Sequence, residues 1–127
     1  MCFTYHNEEL FAEGVSLHKL AEKVGTPFYC YSSGKLAGNF QAYQNALGNF
    51  NHTVCYSVKA NPNLGVLKTL ARLGSGADVV SAGEMYVALK AGIPADKIVF
   101  SGVGKTKEEL EEAIKTQILQ INAESIA

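Results

Sequence analysis

The sequence is short of the residues that hold metal-bound or disulfide-bonded proteins together, with three cysteines and three histidines among 127 residues. Cys2, Cys30 and Cys55 form no C-x-x-C pair and their number is odd, so neither a zinc site nor a disulfide framework is predicted. Cys30 and Cys55 lie in apolar runs, which predicts small buried side chains in a reducing compartment. The histidines have no ligand spacing, so no metal site is predicted.

Long apolar runs and an excess of positive charge are also absent. No window approaches the roughly 18 apolar residues of a membrane span, and the N-terminus has no basic segment followed by an apolar one, as a signal peptide would. The formal net charge is −1 and no basic patch stands out, which argues against nucleic acid or an anionic membrane as a partner. A cytoplasmic protein is therefore expected.

What the sequence does contain is a regular alternation of helix and strand signals. Helix caps are predicted at Ser16, Asn61, Ser81 and Thr106, the last two as capping boxes with Glu84 and Glu109. A further helix has the apolar stripe Leu36, Phe40, Tyr43 and Leu47. Strands are predicted over residues 28–31, 53–59, 76–80, 98–100 and 117–121.

Strands separated by single helices and short connections predict parallel βα units. The pattern fits either an open doubly wound α/β sheet or about the first half of a (β/α)₈ barrel, since a full barrel takes about 250 residues. Residues 1–15 are predicted to be an extended segment of a separate β domain, and residues 16–127 to form the partial barrel. The chain stops where another helix is expected to begin, so it is interpreted as a fragment.

Lys59 ends the predicted strand 53–59, and its position suggests chemistry. Side chains alternate along a strand, which places Cys55, Ser57 and Lys59 on one face. Catalytic groups of both fold types sit at the carboxyl ends of parallel strands. A lysine acts as a nucleophile only when neutral, and partial burial favours that form. The alternative is a solvated or ion-paired lysine, which describes most lysines.

Other strands also end in polar residues that are expected on the same face as Lys59. These residues are Asp78, Ser81, Glu84, Ser101, Gly102 and Asn122. The predicted capping box accounts for much of the reason why Ser81 and Glu84 occupy these positions. Asp78 lies within an apolar strand and needs a partner, for which Lys59 or a cofactor-bound water is the candidate.

Residues 101–106, Ser-Gly-Val-Gly-Lys-Thr, superficially resemble a phosphate-binding P-loop. That motif requires a glycine five residues before Gly104, where this sequence has Val99. An ordinary turn that leads into a helix capped by Thr106 is the better interpretation.

Longer stretches of the sequence resemble a known family. Residues 56–61, Tyr-Ser-Val-Lys-Ala-Asn, resemble the cofactor-lysine motif of the fold-type III pyridoxal phosphate (PLP) enzymes, which include alanine racemase and the basic amino-acid decarboxylases. Residues 74–84, Gly-Ser-Gly-Ala-Asp-Val-Val-Ser-Ala-Gly-Glu, resemble the decarboxylase branch, and within it the diaminopimelate decarboxylase family. Residues 13–17, 24–29 and 98–107 add to the resemblance, which covers the chain from about Ala12 onward.

The resemblance implies a (β/α)₈ barrel with an accompanying β domain, and a homodimer with active sites at its interface. It implies PLP-dependent decarboxylation of meso-diaminopimelate to L-lysine and CO₂. Lys59 would be the catalytic residue that carries PLP, with Asp78 and Glu84 lining the cofactor pocket. The family's phosphate loop, the histidine over the ring, the acid at the pyridine nitrogen and the substrate contacts of the β domain would lie beyond Ala127, so the chain is expected to be inactive alone. Ser57 stands where the family often has alanine.

Two alternatives stay open from the sequence. One is a related fold-type III enzyme that decarboxylates ornithine or arginine, or racemises alanine; racemases share the lysine motif but lack the residue 74–84 pattern. The other is a non-catalytic PLP-binding paralogue, which an intact Lys59 argues against without excluding.

Overall fold

The structure is a computed structural model that describes residues 2–126, in two separate sheets and five α-helices. The first sheet is antiparallel, in the order β1-β2-β3, and its strands are β1 (Phe3–His6), β2 (Glu9–Ala12) and β3 (Val15–Ser16). The second sheet is parallel, in the order β4-β5-β6-β7, and its strands are β4 (Cys55–Ser57), β5 (Gly76–Val79), β6 (Ile98–Phe100) and β7 (Gln120–Ile121). The helices are α1 (Leu17–Val24), α2 (Ser33–Leu47), α3 (Leu64–Arg72), α4 (Ala82–Ala91) and α5 (Lys107–Thr116).

The parallel sheet confirms the predicted βα repeat. Its strands follow one another in sequence order, and α2, α3 and α4 each contact the next helix along the chain. Right-handed crossovers that always step in the same direction put their helices on the same side of a sheet. A doubly wound sheet instead reverses its strand order at one point, and residues 2–126 contain no such reversal.

One face of the parallel sheet forms the main core with the helices. Its strand residues are fully buried, namely Ala77, Val79, Ile98 and Phe100. They pack with Leu67 of α3, Met85 of α4 and Ala113 of α5. The opposite face is half-buried, and alternation places the polar Ser57 and Asp78 there together with the apolar Val99. The sheet therefore has a helix-covered apolar face and a second face free for polar side chains.

Gly76 shows how closely the amino ends of the strands are packed. A Cβ at this position would overlap the backbone oxygen of Lys97 and would lie 2.7 Å from the Cys55 Sγ. We expect Gly76→Ala to lower the free energy of unfolding by about 1–3 kcal/mol, because a backbone atom must move to admit the methyl group. Gly14→Ala is the control, since nothing lies within 4 Å of its Cβ position. Equal urea midpoints for the two variants would contradict this prediction.

Several helix caps lie at the residues predicted from the sequence. Ser16 accepts a hydrogen bond from the Lys19 N–H, and Thr106 and Glu109 form the complete capping box of α5. Glu109 also accepts from the Ala82 N–H at 2.9 Å, and this contact with the first turn of α4 lowers the pKa of its carboxyl. Glu109 therefore ties two helix N-termini together, which the sequence did not predict.

Several predicted elements are absent, displaced or shorter than predicted, among them strand 53–59, of which only Cys55–Ser57 is β-strand. Residues 28–31 were predicted to form a strand but join neither sheet. A strand requires a neighbour for its backbone N–H and C=O groups, and among the described strands β4 pairs only with β5. The helix expected to begin after Asn61 begins after Asn63, whose side chain accepts from the Gly65 N–H. The last strand is shorter than predicted because Gln117 takes the left-handed conformation that ends α5.

Cys30 and Cys55 are more exposed than predicted. Cys2, Cys30 and Cys55 are all free and only partly buried.

No helix among residues 2–126 is both long enough and apolar enough to cross a bilayer.

Candidate active site at the carboxyl ends of the parallel strands

Lys59 lies just past β4, not on it. The strand ends at Ser57, and residues Val58–Ala60 form a 3₁₀ turn that buries Val58 completely and leaves Lys59 exposed. The prediction that Lys59 is partly buried at the end of a longer strand is therefore wrong for this chain, because the turn ends the alternation two residues earlier. Lys59 nevertheless follows directly after the carboxyl end of β4, and its amine has no hydrogen-bond or ion-pair partner among the described residues.

Asp78 is held by side chains from both neighbouring strands. Ser57 donates from β4 to the Asp78 Oδ2 at 3.3 Å, and Ser101, just after β6, donates to the Asp78 Oδ1 at 2.6 Å. Asn122, just after β7, donates from its Nδ2 to the Ser101 Oγ at 2.9 Å. The strand register causes this arrangement, since Ser57 pairs with Asp78 and Val79 with Phe100. Four successive strands thus contribute one polar row.

Lys59, one of the two partners expected for Asp78, is not bonded to it among residues 2–126. The carboxylate was expected to face Lys59 or a bound water, but within residues 2–126 it is joined to two serines and to no lysine. A carboxylate in this setting needs donors, and the two hydroxyls supply them. The prediction that these strand-end residues share a face is confirmed for Ser57, Asp78, Ser101 and Asn122.

Glu84 lies in the first turn of α4 and makes half of its predicted capping box. Its backbone N–H donates to the Ser81 Oγ at 3.2 Å. Its carboxylate does not reach back to the Ser81 N–H, and instead accepts from the Val80 N–H at 2.9 Å. Glu84 therefore fixes the backbone that leaves β5, close to Asp78 in the sequence.

A buried lysine near this edge was not predicted. The Lys105 side chain is only 9% exposed, and its Nζ lies 3.4 Å from the Glu124 Oε1 and donates to the Gly102 carbonyl oxygen. Glu124 also accepts from the Gly102 N–H at 2.8 Å, and this bond is the main cause of its lowered pKa. Because Lys105 is paired inside the protein, it is not arranged as a P-loop lysine.

The residues present fit part of a PLP molecule. An unpartnered primary amine suits the cofactor's aldehyde, and a carboxylate held by neutral hydroxyls suits a positively charged nitrogen. Lys59 and Asp78 are the residues that could meet these groups. No cluster of three or more metal-binding side chains occurs among the described residues.

The family model and the sequence relatives point to the same family. Residues 33–127 match the family model for the pyridoxal binding domain of pyridoxal-dependent decarboxylases. The chain is 51% identical over 123 residues to a diaminopimelate decarboxylase of Pseudomonas fluorescens, a match covering 97% of this chain and 30% of that protein.

Solved structures agree with the sequence matches. A crystal structure from Aquifex aeolicus, AQ1208, superposes with a TM-score of 0.92 at 50% identity, over 98% of this chain and 31% of that one. Diaminopimelate decarboxylase from Helicobacter pylori, complexed with L-lysine, superposes with a TM-score of 0.83 at 48% identity, over 86% of this chain and 28% of that one. This chain thus spans about a third of the length of the proteins it resembles.

Proposed function

This chain belongs to the family of pyridoxal-dependent decarboxylases, and on that basis we propose that the protein containing it decarboxylates meso-diaminopimelate to L-lysine and CO₂. The observation that carries the proposal is the position of Lys59, an unpartnered amine directly after β4 at the carboxyl edge of a parallel sheet. Identity of about 50% to diaminopimelate decarboxylases along nearly the whole chain supports the choice of substrate.

In this proposal Lys59 carries PLP, and Asp78 and Glu84 line the cofactor pocket. When bound, PLP accepts the electron pair that loss of CO₂ leaves on the substrate carbon. The Asp78 carboxylate, held by Ser57 and Ser101, would favour a positive charge on a group bound in that pocket. The Glu84 carboxylate holds the Val80 N–H and so fixes the path of the chain between β5 and α4.

The proposal extends to the fold of the complete protein. The consecutive strand order β4-β5-β6-β7, with helices in contact along one side, supports an assignment of residues 16–127 to the first half of a (β/α)₈ barrel. The antiparallel sheet of β1, β2 and β3 supports an assignment of residues 1–15 to a separate β domain, although β3 includes Ser16. A homodimer and a cytoplasmic location are proposed from the family resemblance.

The test is decarboxylation by the complete protein. With PLP present, we expect CO₂ release from carboxyl-labelled meso-diaminopimelate and formation of L-lysine. Ornithine, arginine and alanine are the comparison substrates, since related enzymes of this fold type act on them. Release from ornithine or arginine but not from diaminopimelate would move the protein to another branch of the family. PLP binding without turnover of any substrate would identify a non-catalytic PLP-binding protein.

A further inference from the structure

We propose that Ser101, with Asn122 behind it, is a positioning residue that fixes the direction of the Asp78 carboxylate. The inference rests on the proposed function, because it assigns Asp78 a role toward PLP. It concerns residues outside the recognised lysine motif, and it follows from the hydrogen bonds along the polar row at the carboxyl ends of β5, β6 and β7.

The row has a defined direction. A serine hydroxyl has one proton to donate. Ser101 accepts from the Asn122 Nδ2 at 2.9 Å and donates its own proton to the Asp78 Oδ1 at 2.6 Å. The Asn122 amide is oriented in turn, because its Oδ1 accepts from the Gln120 Nε2 at 2.5 Å. Every donor in the row therefore points toward Asp78.

Ser101 makes a stronger hydrogen bond to the Asp78 carboxylate than Ser57 does. Hydrogen bonds to charged acceptors shorten as they strengthen, and the Ser101 contact at 2.6 Å is much shorter than the Ser57 contact at 3.3 Å. With one donor on each oxygen, the carboxylate plane is fixed. Each oxygen still has a free acceptor site for a group above the sheet edge.

The main chain around Ser101 is held independently of its hydroxyl. The Ser101 N–H donates to the Val79 carbonyl oxygen at 2.8 Å, and the next residue, Gly102, is tied to Glu124 at 2.8 Å. Removing the hydroxyl therefore leaves the backbone anchored on both sides. The side chain lies on the polar face of the sheet, away from the main core, so its contribution to Asp78 can be separated from folding.

The experiment uses the complete protein reconstituted with PLP. The ratio of the two near-ultraviolet and visible absorbance bands of bound PLP is followed against pH for Ser101→Ala, Ser101→Thr and Asp78→Asn. Loss of the Asp78 charge should move the midpoint to lower pH by about one unit, since a carboxylate that lines the pocket would favour the protonated form of the bound cofactor. Ser101→Ala should move the midpoint in the same direction by less, and Ser101→Thr, which keeps a hydroxyl, should restore it.

Ser75→Ala is the matched control for the loss of a serine hydroxyl. Ser75 is buried just before β5, at the opposite end of the strand from the proposed site. Its one hydroxyl proton lies between the Gly76 carbonyl oxygen, at 2.8 Å from the Oγ, and the Val54 carbonyl oxygen, at 3.2 Å. This variant should lower the melting temperature and leave the absorbance midpoint unchanged. Ser57→Ala is a second test of the polar row if Ser101→Ala folds poorly. Its shift of the absorbance midpoint should be smaller, because the Ser57 hydroxyl lies farther from Asp78 than the Ser101 hydroxyl does.

The outcomes separate the two proposals. If Ser101→Ala and the unaltered protein had the same absorbance midpoint while that of Asp78→Asn was lower, the role of Ser101 would be overturned. The proposed function would still stand. An unshifted Asp78→Asn would also overturn it, because a carboxylate without effect on the cofactor needs no positioning. An unaltered protein that binds no PLP would overturn the proposed function together with this inference.

Discussion

Replacing Lys59 with methionine is expected to abolish covalent attachment of PLP. The unaltered protein, incubated with PLP and reduced with borohydride, should carry about one cofactor per chain on the peptide that contains Lys59. Methionine keeps a flexible side chain of similar length but has no amine to react with the cofactor's aldehyde. The Lys59 side chain is exposed and without a partner in residues 2–126, so the substitution should leave the fold intact. Peptide mass spectrometry of the reduced protein gives the stoichiometry and the position.

Lys68→Met is the control for this experiment. Lys68 is exposed on α3 and outside the carboxyl edge of the sheet, so its loss should not change the stoichiometry. Labelling that is scattered over several lysines in the unaltered protein, or that persists in Lys59→Met, would contradict the assignment of Lys59. A loss of labelling in both variants would indicate a general effect of lost charge.

Replacing Phe100 with alanine is expected to lower the free energy of unfolding by about 3–5 kcal/mol, the usual cost of deleting a fully buried aromatic side chain. Phe100 is 0% exposed and belongs to the core between the parallel sheet and its helices. Its ring also lies 5.8 Å from the Lys105 Nζ, so the cavity would open beneath the Lys105–Glu124 pair. Domains are stable by only about 5–15 kcal/mol, so this loss is severe.

Phe50→Ala makes the same chemical change at a surface site. Phe50 is 79% exposed, and its substitution should change stability by no more than about 0.5 kcal/mol. Urea denaturation of the complete protein compares the two midpoints under one set of conditions. If Phe100→Ala shifted the midpoint no further than Phe50→Ala, the structure's assignment of β6 to the centre of the core would be wrong.

Much of the fold was predictable because it depends on local signals. The caps Ser16, Ser81 and Thr106 bond to N–H groups only three residues ahead, so the sequence alone contains both partners. Strands β5 and β6 are apolar runs between such helices, and their parallel pairing follows from the single helix between them.

The predictions that failed depend on contacts the sequence does not display. The segment 28–31 is apolar enough for a strand, but a strand also needs a neighbour, and the described residues provide none for it. Asn61 has the chemistry of a helix cap, yet its Oδ1 accepts from the Asn63 N–H and the helix starts two residues later. Lys59 was expected on the last position of the strand, but β4 ends at Ser57 and Lys59 lies in the 3₁₀ turn that follows.

The sequence by itself determined the order of the elements, the parallel βα repeat and the identity of Lys59 and Asp78 as the residues with chemistry to explain. Only the tertiary structure decided that Ser57 and Ser101 hold Asp78, and that Glu124 pairs with Lys105. The physical reason is distance along the chain: a cap or an alternation joins residues a few positions apart. The donors to Asp78 lie 21 and 23 residues from it, and they meet it only because the strand register brings them side by side.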